Sequence, residues 1–187
     1  MTRALERAVA ALARFLDEHH TPYMLIGGIA NLVWGQPRAT LDVDVSVLVE
    51  EEAWPRFVAE VGRVFHIIPT HALEFLRDTH VLPVETRDEV RIDIVWAQLP
   101  YEHRAIARAT LEDVLGHRVR VCRAEDLIIH KIVSERLKDR EDVRAIIRHQ
   151  GARLDRQYLT RTVSALARTL HQPELLAFLT ACFRNKS

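Results

Sequence analysis

The chain is 187 residues long, 48% hydrophobic and 28% charged, and its 26 basic side chains balance 26 acidic ones. That length accommodates one domain, or one core with a small helical extension, around a substantial interior; no apolar run approaches membrane-spanning length, which argues against a membrane protein. The N-terminus shows no apolar leader with a cleavage site, and Cys122 and Cys182 lack metal-type spacing, so the reading is a cytoplasmic protein with free thiols.

Leu5, Ala8, Val9, Leu12 and Leu16 recur at helical spacing and predict an amphipathic helix from about Thr2 to Asp17, with Thr2 as its N-cap. Thr21-Pro22 breaks that helix and launches a short apolar strand, Tyr23 to Ile26, which stops at Gly27-Gly28. Ile29, Ala30, Leu32 and Val33 continue as a helix. A glycine pair at such a turn lets the backbone take positive φ and approach a ligand closely, and the amides of a helix start favour an anion such as phosphate.

Thirteen residues separate Gly28 from Asp42-Val43-Asp44, which leads into the β-type run Val45, Val47, Leu48 and Val49. Residues two apart on a strand share a face, so Asp42 and Asp44 are expected to project together. Two adjacent carboxylates repel unless a cation neutralises them, and oxygen-only ligands suit Mg²⁺, which is commonly held by one or two carboxylates plus substrate phosphates. Mn²⁺ is the alternative ion.

Glu50-Glu51-Glu52 opens a helix predicted to run through about Val64, its acids complementing the helix dipole. A short strand near His66 to Pro69 and a helix around Ala72 to Arg77 follow, then paired strands Val81 to Thr86 and Val90 to Trp96. Asp93 lies between isoleucines in the second of these. It is either a solvated edge-strand residue beside Arg91 or a carboxylate that needs a cation. Tyr101 to Arg108 reads as a helix, and Thr110 to Leu115 with Arg118 to Cys122 as a hairpin turning at Gly116-His117. From Ala124 the pattern is helical: Ala124 to Leu137, Arg140 to His149, Arg156 to Leu170 and Pro173 to Phe183. The expected division is an α/β core over 1–122 and a helical subdomain over 123–187, giving an α+β protein with a mixed sheet.

The order hydrophobic-Gly27-Gly28, spacer, Asp42-hydrophobic-Asp44-hydrophobic resembles the signature of the nucleotidyltransferase fold of the DNA polymerase β type. The lead-in Pro37-Arg38-Ala39-Thr40 makes it most similar to the AbiEii/MenT-type nucleotidyltransferases, toxins of bacterial toxin–antitoxin pairs. The resemblance implies a catalytic and metal-binding set of Asp42, Asp44 and Asp93. It also implies nucleotide contacts from Gly27, Gly28, Arg38 and Lys131, where Lys131, Lys138, Asp139 and Asp142 match the family's lysine helix and the acids after it. The implied reaction moves a nucleoside monophosphate from an NTP to an acceptor hydroxyl, an RNA such as a tRNA 3′ end, in a toxin with a cognate antitoxin protein as partner. The alternatives are a small-molecule transferase of the aminoglycoside adenylyltransferase type, a protein-modifying enzyme, or a non-catalytic antitoxin or binding partner with the same fold.

Residues 1–100 hold 9 basic and 15 acidic side chains, a net of −6, whereas 101–187 hold 17 and 11, a net of +6. Such asymmetry suggests an acidic metal-binding half and a basic half that meets phosphates. Arg136, Arg140, Arg144 and Arg148 recur every fourth residue, either as an ion-laced helix surface with Asp139 and Glu141 or as a stripe whose Arg144 and Arg148 contact an RNA acceptor.

Overall fold

Four consecutive buried residues form the central strand β1 (Tyr23–Ile26), preceded by α1 (Arg3–Glu18) and followed without a linking turn by α2 (Gly27–Trp34). The computed structural model describes residues 3–37, 39–134 and 136–184; the expected cap Thr2 and the expected ligand Arg38 lie outside them. After β2 (Val43–Val47) the chain makes a 3-10 turn (Glu51–Ala53) and then α3 (Trp54–Val64). Pro55 explains that split start, because it lacks an amide hydrogen and is tolerated only in a first helical turn. Next come β3 (His66–Ile67), α4 (Ala72–Thr79), β4 (Val81–Glu85), β5 (Arg91–Trp96) and α5 (Pro100–Arg108). Glu102 caps α5 by accepting from the backbone amides of Gln98 and Leu99 at 2.7 and 2.8 Å. The hairpin β6 (Thr110–Val114) and β7 (His117–Val121) turns at Leu115-Gly116, one residue earlier than the sequence suggests. Both turn residues have positive φ, 56° and 81°, which matches the twist of two-residue hairpins.

Among the described residues these seven strands make one mixed sheet in the order β3-β4-β5-β2-β1-β7-β6. The pairs β2/β5 and β1/β7 are parallel and the others antiparallel. The parallel pairs need crossovers, and helices between the strands in sequence supply them. Trp96 of β5 meets Trp54 and Phe57 of α3 edge-on at centroid distances of 5.9 and 5.5 Å, and Phe57 in turn meets Phe15 of α1. Alternation therefore assigns one face of the sheet: Val43, Val45, Val47, Ile92, Ile94 and Trp96 turn toward α1 and α3, and Asp44, Ser46 and Asp93 lie on the opposite face.

Contacts along the chain define two compact units, Met1–Ile29 with Ala39–Cys122, and Ala30–Arg38 with Arg123–Ser187. The second is built from α6 (Ala124–Val133), α7 (Leu137–Gln150), α8 (Arg156–Thr169) and α9 (Glu174–Arg184). Its core gathers Leu127, Ile128, Ile146, Leu159, Val163 and Leu179. Residues from the far end of α2 belong here: the Gln150 side-chain amide donates to the Trp34 carbonyl at 2.9 Å, satisfying an acceptor at the helix end. Asp155 caps α8 by accepting from the Tyr158 amide at 2.8 Å.

Trp96 is 2% exposed, and Trp96→Ala leaves a cavity where three aromatic rings meet. The expected loss is about 3–5 kcal/mol, read as a lower denaturation midpoint with an unchanged slope in urea.

Candidate active site

Strand β2 runs parallel to β5 with Asp44 opposite Asp93, so the two carboxylates stand on the same face of neighbouring strands. Strands lie roughly 5 Å apart, and like charges opposite one another are unfavourable. Both residues keep partial exposure, and Asp93 Oδ1 accepts from Arg91 Nε at 2.9 Å. Arg91 precedes Asp93 by two residues, so alternation puts its guanidinium on the same face. The expected edge-strand position is corrected, because β5 is paired on both sides, by β4 and β2; the expected neighbour Arg91 is present, beside a carboxylate that also faces Asp44.

Asp42 departs from the expected geometry. It stands in a bend before the first residue of β2 and is exposed. The ladder stops there because β1, which pairs Ile26 with Asp44, gives way at Gly27 to φ 60° and a helix. Thr40 anchors Asp42: its hydroxyl donates to Asp42 Oδ1 at 2.8 Å and lies 3.2 Å from the Asp42 carbonyl.

The glycine pair has the positive φ expected at Gly27, and it also makes room for two side chains. A Cβ on Gly27 would lie against Asp44 Oδ2 and 2.7 Å from Asp44 Cγ, and one on Gly28 would lie against Thr40 Oγ1 and 2.9 Å from Thr40 Cβ. The space given by the missing side chains is taken by Asp44 and Thr40. Glycine is required at both positions by close packing, and at Gly27 by the left-handed backbone as well.

Oxygen donors alone at Asp42, Asp44 and Asp93 fit a hard cation such as Mg²⁺ or Mn²⁺. Among the described residues no three His, Cys, Asp or Glu side chains converge as a ready metal site. The arrangement fits an ion held by one or two of these carboxylates, with phosphate and water completing its shell.

Lys131 sits elsewhere in chemistry. Lys131 is 5% exposed, and its ammonium donates to Asp139 Oδ1 at 3.0 Å and Asp142 Oδ2 at 2.6 Å. Asp139 also accepts from Ser134 Oγ and Arg136 Nε, each at 2.7 Å. Burial pushes the Asp139 carboxyl up, but the hydrogen bonds from Ser134, Lys131 and Arg136, with the Lys131 charge, outweigh it and hold it below the ordinary value. The four-residue arginine repeat is broken as well: α7 begins at Leu137, leaving Arg136 outside it. The guanidinium groups of Arg140 and Arg144 lie over the Phe178 ring of α9, 5.3 and 5.1 Å from its centroid, and Arg144 and Arg148 are both exposed.

Sequence reasoning missed the part of Thr40. Its signal was the Thr-x-Asp spacing, which places a hydroxyl within reach of the residue two positions on. It also missed that α6 begins with two buried acids engaged by α8: Asp126 accepts from the Tyr158 hydroxyl at 2.6 Å and Glu125 from the Asp155 amide at 2.8 Å.

The profile of a protein family described as a nucleotidyl transferase of unknown function (DUF2204) matches residues 5–172. No curated protein sequence matches the chain. Among solved structures, the antibiotic-resistance factor ANT(2'')-Ia aligns over 93% of this chain and 99% of its own, at 19% identity and a TM-score of 0.60. ANT(2")-Ia in complex with adenylyl-2"-tobramycin aligns over 97% and 98%, at 17% identity and a TM-score of 0.54. The lincosamide antibiotic adenylyltransferase LnuA, lincomycin-bound, aligns over 75% and 95%, at 12% identity and a TM-score of 0.51. At these identities the likeness speaks for the fold.

Two outcomes are expected from the buried ion network. Lys131→Ala leaves two buried acids without their shared cation and lowers stability by about 3–5 kcal/mol, measured by chemical denaturation at neutral pH. Because the Asp139 carboxyl is depressed in the folded state, its contribution is present above the unfolded carboxylate value near pH 4 and is lost as pH falls through the lower folded one. The wild type should therefore lose more stability on acidification below about pH 4 than Asp139→Asn does.

Proposed function

The chain belongs to this nucleotidyl transferase family, and on that premise we propose that it moves a nucleoside monophosphate from an NTP to an acceptor hydroxyl at the Asp44/Asp93 face. The observation that supports this reading is the register of β2 and β5, which sets the two carboxylates side by side next to the Gly27 turn. Asp42 and Asp44 would hold Mg²⁺, with Asp93 as a third ligand or as the proton acceptor. The ion supplies charge neutralisation for the triphosphate and its leaving group. The chain's own residues orient and exchange protons. The acceptor oxygen bonds to the α-phosphorus, the bond to the β-phosphate oxygen breaks, and pyrophosphate leaves. The hydroxyl proton goes to Asp93, whose Oδ1 is fixed by Arg91 and whose other oxygen can take it. Gly27 and Gly28 contribute through the side chains that they admit, Asp44 and Thr40. Arg38 is the cation assigned to the triphosphate in this reading. Lys131 is not, since its charge is balanced by two acids.

For the acceptor, a small hydroxyl-bearing molecule is favoured. The support is the shared fold of two antibiotic-directed enzymes and the engagement of Arg140 and Arg144 with Phe178, which draws half of the arginine repeat onto a ring. The second reading is an RNA 3′ end modified by a toxin with a protein antitoxin. The exposed Arg144 and Arg148 favour it.

Incubation with each labelled NTP, Mg²⁺ and either total RNA or a panel of small hydroxylated acceptors separates these readings. Asp44→Asn and Asp93→Asn should each lower transfer by at least about a hundredfold without lowering the melting temperature, because each relieves like-charge repulsion. Near-wild-type transfer by either variant overturns the assignment. Arg144→Glu with Arg148→Glu should leave transfer to a small acceptor unchanged. If that pair instead lowers RNA labelling and makes the remaining RNA binding less salt-dependent, the acceptor is RNA.

A further inference from the structure

Thr40 enters the reaction just described only as the side chain that Gly28 admits, and its surroundings are unusual for a loop threonine. It is 8% exposed, whereas Asp42, two residues on, is exposed. Its side chain occupies the space left by the missing Cβ of Gly28, where an added methyl would stand 2.9 Å from Thr40 Cβ. A β-branched side chain has few staggered χ1 positions, and packing against Gly28 selects among them. The hydroxyl has one proton, and of its two acceptors Asp42 Oδ1 at 2.8 Å is closer than the Asp42 carbonyl at 3.2 Å.

We propose that Thr40 is a positioning residue for Asp42: lodged on Gly28, it ties down Oδ1 and leaves Oδ2 as the oxygen that Asp42 gives to the divalent cation. The proposal rests on the reading of Asp42 as a metal-holding carboxylate. Asp42 needs such help because it lies outside the strand. Asp44 and Asp93 are oriented by the ladder, while Asp42 stands in a bend with no cross-strand partner to fix it. A hydrogen bond from a rigid neighbour replaces the missing ladder and reduces the rotamer freedom lost on binding. Thr40 also explains why position 28 must be glycine even though its backbone φ is not in the left-handed region.

The test measures binding of Mn²⁺ by the full chain, alone and with a non-hydrolysable ATP analogue, by paramagnetic resonance, beside melting temperature and transfer rate. Thr40→Val keeps the shape and removes the hydroxyl, Thr40→Ala removes it without placing a branch against the carboxylate, and Thr40→Ser retains it. Thr40→Val and Thr40→Ala should weaken Mn²⁺ binding by about ten- to a hundredfold. The rate at saturating NTP should fall by a similar factor with little change in KM, and Thr40→Ser should recover most of both. Wild-type Mn²⁺ affinity in Thr40→Val or Thr40→Ala overturns the proposal. So does a Thr40→Ser variant as weak as Thr40→Val, which would make the methyl the important group, and so does a wild type that binds no Mn²⁺. If the wild type binds Mn²⁺ and Thr40→Val weakens it, yet no NTP supports transfer, the enzymatic reading falls and the role of Thr40 stands.

Discussion

Two carboxylates held in register on neighbouring parallel strands are the constraint to which the first unit of this protein answers. Like charges so placed oppose the pairing that brings them together, so the ladder must be held by something stronger. The support comes from the opposite face, where Val43, Val45, Ile92, Ile94 and Trp96 are fully or almost fully buried and α1 and α3 close over them. An apolar face of that size outweighs repulsion between half-exposed acids, which solvent already screens. Arg91 reduces the repulsion further by binding Asp93. A cation arriving at this face would relieve a strain that the fold maintains, which is a common way for a site to be built before its ligand binds.

The glycine pair belongs to the same constraint. Gly27 ends β1 and starts α2 with no intervening residue, and the left-handed backbone at that point is compatible with Asp44 lying directly against its Cα. Gly28 does the equivalent for Thr40. The two glycines therefore serve two acids, Asp44 directly and Asp42 through Thr40, in contacts between segments separated along the chain. Phosphate recognition by glycine-rich turns depends on exposed amides; here the missing side chains also make room for Asp44 and Thr40.

The second unit handles charge in another way. Lys131, Asp139 and Asp142 are all buried, and no group of the trio is left without an opposite charge. Removing one partner from such a set costs more than the set contributes as a whole. Ser134 and Arg136 also bond Asp139, so the network clasps the break between α6 and α7 and sets where α7 starts. That start takes Arg136 off the helix and prevents the arginine repeat from forming one continuous stripe.

The sequence by itself determined most of the elements and singled out the residues of the candidate site. Helical and alternating periodicities located α1, β1, α3, β4, β5, the β6/β7 hairpin and the C-terminal helices to within a few residues, since those patterns follow from local geometry. The Gly-Gly and Asp-x-Asp spacing with a later strand Asp identified residues that do meet on one face, Asp44 and Asp93. Tertiary structure decided the rest. Whether Asp42 continues the strand depends on where β1 stops offering a partner, and whether Lys131 faces solvent or two acids depends on the angle between α6 and α7. What fills the space beside a glycine depends on a residue from another segment. Each of these is set by contacts between parts of the chain that are distant in sequence, and no local period encodes them.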